Sequence, residues 1–240
     1  MSDIALNPKL VLEEGEIHIW SWSSIEELYA NTKKNVNLSP HAKESEFFIK
    51  SILSCYLDDA IGDIVIKRDG YGKPRLKTSY IDHRIKFNLS HTRGLYVFGL
   101  TLDNEIGIDV EWHSATRDFS AFSKRYFHDH EFADINSSVG TNKLTKFYRY
   151  WTLKEAYIKA CGLGLAIPLN QFYFDLKSEA GVSIGFTESR ADDPCLWDFS
   201  SFDVDDKYSV GIAINGAKGL DSKFIYHDCN RSLIRTFNPI

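Results

Sequence analysis

The chain has 240 residues, 43% hydrophobic and 25% charged, which is enough apolar content for one large core or two smaller ones and too much for a disordered chain. A formal net charge of -5 argues against a protein whose main work is wrapping nucleic acid, so any polyanion has to meet a local basic site. The start lacks a basic-then-apolar leader pattern, no segment reaches the roughly 20 apolar residues of a spanning helix, and Cys55, Cys161, Cys195 and Cys229 form no C-x-x-C pair; the expectation is a cytoplasmic protein with reduced thiols.

In chain order, Glu16 to Trp22 alternates as a strand. Ser39-Pro40 reads as a helix start, with Phe48, Ile49, Ile52, Leu53, Tyr56 and Leu57 recurring at helical spacing behind it. A short strand at Ile64 to Lys67 leads into the turn-rich Asp69-Gly70-Tyr71-Gly72-Lys73-Pro74. Ile85, Phe87 and Leu89 alternate with Lys86, Asn88 and Ser90, and the Arg93-Gly94 turn joins them to a second strand, Leu95 to Leu102. A third strand, Glu105 to Trp112, follows the Asp103-Asn104 turn, and a helical region runs from Phe119 through Phe127 to Ile135. Ser137 to Thr141 reads as a loop, and Lys143 to Cys161 as a helix closed by Gly162. Phe172 to Leu176, Val182 to Thr187, Leu196 to Phe202 and Tyr208 to Ile214 read as strands. Phe87 to Leu100 and Phe199 to Ala213 share a loose pattern, read either as two related halves meeting near residues 103 to 105 or as chance similarity of two hairpins.

Chemistry concentrates in two elements. In Glu105 to Glu111 one strand face carries Ile106, Ile108 and Val110, and the other carries Glu105, Gly107, Asp109 and Glu111. Two carboxylates beside a space-leaving glycine suit Mg²⁺; the bland alternative is a solvated acidic strand face. In the long helix, Trp151, Glu155 and Lys159 stack at i, i+4 and i+8 while Lys154 points sideways. The bland reading there is a surface Glu–Lys pair, but the aromatic content (Phe147, Tyr148, Tyr150, Trp151, Tyr157) predicts burial, and buried charges need partners that a metal and a phosphate supply. Ser90-His91 does not make a hydrolase dyad, because adjacent strand residues face opposite ways and no G-x-S-x-G elbow is present.

Gly72-Lys73-Pro74, Phe87-Asn88-Leu89-Ser90-His91-Thr92, Ile106 to Glu111 and Trp151 to Lys159, in this order and spacing, resemble the motifs of the Sfp-type (group II) 4′-phosphopantetheinyl transferases. The resemblance spans about residues 64 to 175 and implies an α+β (α/β) pseudo-twofold monomer of two similar halves: residues 1–103 on the nucleotide side and residues 104–240 carrying metal and catalysis. It implies coenzyme A as substrate in the cleft between them, with Mg²⁺ on Asp109, Glu111 and Glu155, and Glu155 as general base with Glu111 as the alternative. It further implies Lys159 on the phosphates, with Lys73, Pro74, Ser90, His91 and Lys154 in the coenzyme A site. The implied partner is an acyl or peptidyl carrier protein, an acidic helical bundle docking near Arg117, Lys124 and Arg125. Where such proteins carry an arginine-rich stretch for the 3′-phosphate, this chain offers Lys33, Lys34, His41, Lys43 and Lys50. A Mg²⁺-dependent phosphohydrolase acting on coenzyme-A-like pyrophosphates and a non-catalytic coenzyme A binder are the competing readings.

Overall fold

Alternation on strands and helical spacing on two helices combine into four layers, helix on sheet on sheet on helix, seen in a computed structural model that describes residues 9–23, 40–77, 84–114, 119–176, 181–216, 222–230 and 233–237. The first layer is α1 (Pro40–Leu53). Its Phe48, Ile49, Ile52 and Leu53 meet Trp20 of β1 (Glu16–Ser23), Phe87 of β4 (Ile85–Thr92) and Phe98 of β5 (Leu95–Leu102). The helix stops at Leu53, and Tyr56 and Leu57 reach the same core from the turns that follow.

The second layer is a five-stranded sheet in the order β12-β11-β1-β5-β4, with β11 (Lys223–Asp228) and β12 (Leu233–Phe237). β1 pairs parallel with β11 and antiparallel with β5, and its central position explains why six of its eight residues are buried. The third layer is a three-stranded sheet in the order β6-β10-β9: β6 (Glu105–Trp112), β10 (Tyr208–Asn215), β9 (Trp197–Val204). Ile17, Ile19, Leu95 and Val97 of one sheet pack on Ile106, Ile108, Val110, Val210 and Ile212 of the other, as period-two strands require. Two short hairpins, β2 (Ile66–Arg68) with β3 (Pro74–Leu76) and β7 (Phe172–Asp175) with β8 (Ser183–Phe186), flank the sheets.

The predicted helical region after residue 118 divides into α2 (Phe119–Tyr126) and α3 (Asp129–Asn136). His128 caps α3: its ring accepts from the His130 N–H while the Glu131 side chain accepts from the His128 N–H, a reciprocal cap that starts a new helix. The fourth layer, α4 (Gly140–Cys161), begins three residues before the predicted start. It ends at Gly162, whose φ of 69° lets its N–H reach the carbonyls of Ile158 and Lys159.

The two segments with the loose shared pattern are both antiparallel hairpins, β4–β5 and β9–β10, one in each sheet. A cut between residues 103 and 104 falls at the β5–β6 turn, yet β11 and β12 cross back into the sheet built from β1, β4 and β5. Among the described residues no helix is long and apolar enough to cross a membrane.

Candidate active site

The inner face of α4 lies directly on β6 and β10 because two positions have no side chain. A Cβ at Gly107 would stand 2.0 Å from the Ala156 carbonyl oxygen, and one at Gly211 would stand 2.4 Å from the Thr152 carbonyl carbon. The space beside the acidic strand face, read from the sequence as room for a metal, is filled by helix backbone. That close approach brings Glu155 and Trp151 of α4 to Asp109 and Glu111 of β6.

Asp109 is buried, with 5% of its surface exposed. Its Oδ1 accepts from Lys159 Nζ at 2.5 Å and from Ser90 Oγ at 2.8 Å, while its Oδ2 is buried with no hydrogen-bond partner among the described residues. Glu111 accepts from Trp151 Nε1 at 3.3 Å and from Thr92 Oγ1 at 3.4 Å. Glu155 is half-buried and its carboxyl is pushed up to about 7, first by desolvation and then by the negative charges of Asp109 and Glu111, against the opposing pull of Lys159. Two carboxylates that raise a third, and an orphaned carboxylate oxygen among them, form a donor set suited to a hard divalent cation. Among the described residues no three His, Cys, Asp or Glu side chains converge into a ready-made cage. Mg²⁺ does not demand one, since it binds through one or two carboxylates plus phosphate oxygens and water.

Several predicted site residues sit elsewhere. Lys154, placed in the coenzyme A site from the sequence, has a side chain with no exposed surface. Its Nζ is held by Glu131 at 2.8 Å, the Leu169 carbonyl at 2.7 Å and the Phe172 carbonyl at 2.8 Å, over the Phe172 ring. Burial pushes the Glu131 carboxyl up and the Lys154 ammonium down, each opposed by the other. With all three donors spent, Lys154 ties α4 to α3 and β7 and has no N–H left for a phosphate.

Lys73 is likewise no free phosphate hand. Its Nζ donates to Glu105 Oε2 at 2.8 Å and to the carbonyls of Ile106 and Ala160 at 3.1 Å each, which clamps the β2–β3 turn to β6 and α4. Pro74 opens β3 opposite Arg68. Ser90 is buried, whereas His91 is exposed and stacked on Tyr96 at 5.1 Å, the opposite facing that adjacent strand positions impose.

Lys50 pairs with Glu46 at 3.0 Å one turn back in α1. Lys33, Lys34 and Arg117 lie outside the described residues, as do the side chains of His41 and Lys43. Lys124 and Arg125 are exposed at the end of α2, with the Arg125 guanidinium over the Tyr126 ring at 5.2 Å. Sequence reasoning missed Glu131 and the roles of Asn88 and Thr92. Their spacing by two around Ser90 was visible, but the approach of the β6 edge that they serve was not.

A family model described as the 4′-phosphopantetheinyl transferase superfamily matches residues 105–213. The chain is 30% identical over 179 residues to the 4′-phosphopantetheinyl transferase HetI of Nostoc sp., covering 66% of this chain and 74% of that protein. It is 30% identical to the 4′-phosphopantetheinyl transferase Sfp of Bacillus subtilis over 70% of each chain. With the 4′-phosphopantetheinyl transferase gsp of Aneurinibacillus migulanus it shares 32% identity over 54% of this chain and 52% of the other, so the chain spans between about half and three quarters of these relatives. Among solved structures, a holo-(acyl-carrier-protein) synthase from Bacillus anthracis in complex with CoA (3′,5′-ADP) aligns at a TM-score of 0.39 and 16% identity over 46% of this chain and 94% of that one, too slight a likeness to bear on the site. On the strength of the sequence relatives, the chain belongs to the 4′-phosphopantetheinyl transferase superfamily.

Proposed function

We propose that this enzyme moves the 4′-phosphopantetheine arm of coenzyme A onto a serine of an acyl or peptidyl carrier protein and releases 3′,5′-ADP. The observation that carries this reading is the buried Asp109 Oδ2, without a hydrogen-bond partner among the described residues, beside a Glu155 whose carboxyl is pushed up to about 7 by desolvation and then by the neighbouring acids. Mg²⁺ held by Asp109, Glu111 and Glu155 would supply positive charge to the pyrophosphate oxygens.

The chain's own residues account for the remaining steps. A carboxylate within hydrogen-bond reach can accept a proton as a bond forms, so Glu155 takes the proton of the carrier serine as the serine oxygen attacks the β-phosphorus; Glu111 is the alternative acceptor. As the new P–O bond forms, the bond to the nucleotide breaks, and the negative charge on the departing 3′,5′-ADP faces Lys159. That ammonium is held 2.5 Å from Asp109 with 28% of its side chain exposed, so it is anchored at the metal edge and open toward substrate. His91, exposed at the mouth of the β4–β5 hairpin, and Pro74 remain as proposed nucleotide contacts. The carrier docks on exposed Lys124 and Arg125 around Tyr126, whose surface is 40% exposed, a basic patch with an apolar centre on an otherwise acidic chain. A monomer acting in the cytoplasm, with its nucleotide side in residues 1–103 and its catalytic side in residues 104–240, completes the proposal.

The test is incubation with coenzyme A, Mg²⁺ and a panel of apo carrier proteins, followed by intact mass of the carriers and chromatography of the nucleotides. The expected result is one carrier gaining phosphopantetheine with matching 3′,5′-ADP. Free phosphopantetheine without carrier modification would make the chain a phosphohydrolase. Coenzyme A recovered intact in the complex would make it a binding protein.

A further inference from the structure

Two sheet edges meet beside the site without joining into one sheet. β4 ends the five-stranded sheet and β6 ends the three-stranded one. Among the described residues the outer N–H groups of β6 therefore have no strand to pair with, although Ile108 and Val110 are essentially buried. Side chains of β4 take the place of a strand. Ile108 N–H donates to Asn88 Oδ1 at 2.9 Å, Val110 N–H to Ser90 Oγ at 3.3 Å, and Trp112 N–H to Thr92 Oγ1 at 3.4 Å. The three acceptors alternate along one face of β4 and the three donors alternate along one edge of β6, so the strands run in step two residues at a time.

Two rungs of this ladder continue into the acids. Ser90 Oγ donates to Asp109 Oδ1 at 2.8 Å and accepts from Lys159 Nζ at 2.9 Å, and Thr92 Oγ1 meets Glu111 Oε2 at 3.4 Å. A hydroxyl has one proton and two lone pairs, so Ser90, with its surface 5% exposed, has nothing left to offer a nucleotide. Asn88 ends on the backbone and reaches neither acid.

We propose that Ser90 and Thr92 are positioning residues: they fix Asp109 and Glu111 by direct hydrogen bonds, leave Asp109 Oδ2 available to a divalent cation, and set metal affinity without contacting coenzyme A. This rests on the proposed reading of those acids as metal ligands. It differs from the sequence-based placement of Ser90 in the coenzyme A site, and the two assignments separate experimentally.

The experiment measures Mn²⁺ binding by electron paramagnetic resonance in the presence of coenzyme A, coenzyme A binding by calorimetry without metal, thermal unfolding, and steady-state kinetics with coenzyme A and 3′-dephospho-coenzyme A. The variants are Ser90→Ala, Ser90→Thr, Thr92→Val and Asn88→Ala. Ser90→Ala is expected to weaken Mn²⁺ binding and lower kcat roughly 10- to 100-fold, the cost of losing a group that orients a metal ligand. The ratio of KM values for the two coenzymes should stay at the wild-type value, as should metal-free coenzyme A binding. Ser90→Thr, which keeps the hydroxyl, should restore Mn²⁺ binding; Thr92→Val should weaken it less than Ser90→Ala does; and Asn88→Ala should lower the unfolding temperature with Mn²⁺ binding unchanged. Wild-type Mn²⁺ affinity in Ser90→Ala would overturn the proposal. So would loss of discrimination against the dephosphorylated coenzyme, which would make Ser90 a nucleotide ligand, or an Asn88→Ala defect in Mn²⁺ binding equal to that of Ser90→Ala, which would replace direct positioning by register alone. If Ser90→Ala does not fold, Ser90→Cys keeps the volume, gives up the strong hydrogen bonds and is read on the same scale. Failure of the wild-type protein to modify any carrier would count against the transferase reading and leave the Mn²⁺ titration to judge the ladder by itself.

Discussion

The two faces of α4 hold similar charges in opposite states. On the face toward α3 and β7, Lys154 and Glu131 are sealed from water, and Glu131 also accepts the N–H groups of Phe174 and His128. Every donor of Lys154 is spent. On the face toward β6, Lys159 and Asp109 form a pair of the same kind, yet Lys159 is partly exposed, Asp109 keeps one oxygen unpaired among the described residues, and the Glu155 carboxyl is pushed up to about 7 by desolvation and by the neighbouring acids. The two lysines are five positions apart. Saturation marks the first cluster as a strut, and incomplete satisfaction in the second supports the proposal that charge arrives there with a substrate.

The largest expected effect comes from Glu155→Gln, which removes the proposed proton acceptor and should slow carrier modification by roughly 10²- to 10⁴-fold. Its stability should move the other way. The folded-state value of Glu155, about 7, lies above its ordinary 4.5, so its contribution to stability is complete below about pH 4.5 and is lost as pH rises through 7. Without metal, wild type should therefore fall behind Glu155→Gln between pH 5 and pH 8, by at most roughly 3 kcal/mol and less after solvent screening. Urea melts at both pH values measure this, and parallel curves for the two proteins would contradict it.

On the opposite face, Lys154→Met leaves Glu131 buried without its ion partner and should cost about 3–5 kcal/mol. Adding Glu131→Gln removes the stranded charge and keeps an acceptor for the Phe174 N–H, so most of that loss should return. The double variant should modify carrier at close to the wild-type rate per folded molecule; an inactive but stable double variant would break the distinction between the faces. Gly107→Ala forces a methyl onto the Ala156 carbonyl and should cost at least about 1–3 kcal/mol, with activity falling further because α4 and β6 move apart. The smallest effect belongs to Arg125→Glu, expected to raise KM for the carrier several-fold at low salt, less at high salt, with KM for coenzyme A unchanged.

Much of this is legible in the sequence. The alternation in β4, β5, β6 and β10 and the spacing of Trp151, Glu155 and Lys159 are local patterns, and local patterns survive folding. The partners of lysines were not legible. Lys73 and Lys154 were both placed in the coenzyme A site, because Glu105, Ala160 and Glu131 come to them only through tertiary packing. Gly107 was noticed for the right reason, a missing side chain, and given the wrong occupant, since nothing local says that a helix backbone will fill the gap. β11 and β12 were overlooked. Phe224 and Tyr226 alternate, but parallel pairing with β1, some two hundred residues away, is what makes that short segment a strand. The β4 ladder escaped for a related reason: Asn88, Ser90 and Thr92 look like the polar face of a hairpin until a second sheet edge is brought against it.

The measurement that bears most directly on the account is the rate of carrier modification by Glu155→Gln beside that of Lys154→Met with Glu131→Gln, each normalised to folded protein by its unfolding curve. The account predicts a well-folded, nearly inactive first variant and an active second one. A Glu155→Gln protein that modifies carrier at the wild-type rate, or a folded Lys154→Met, Glu131→Gln protein that does not modify it at all, would contradict it.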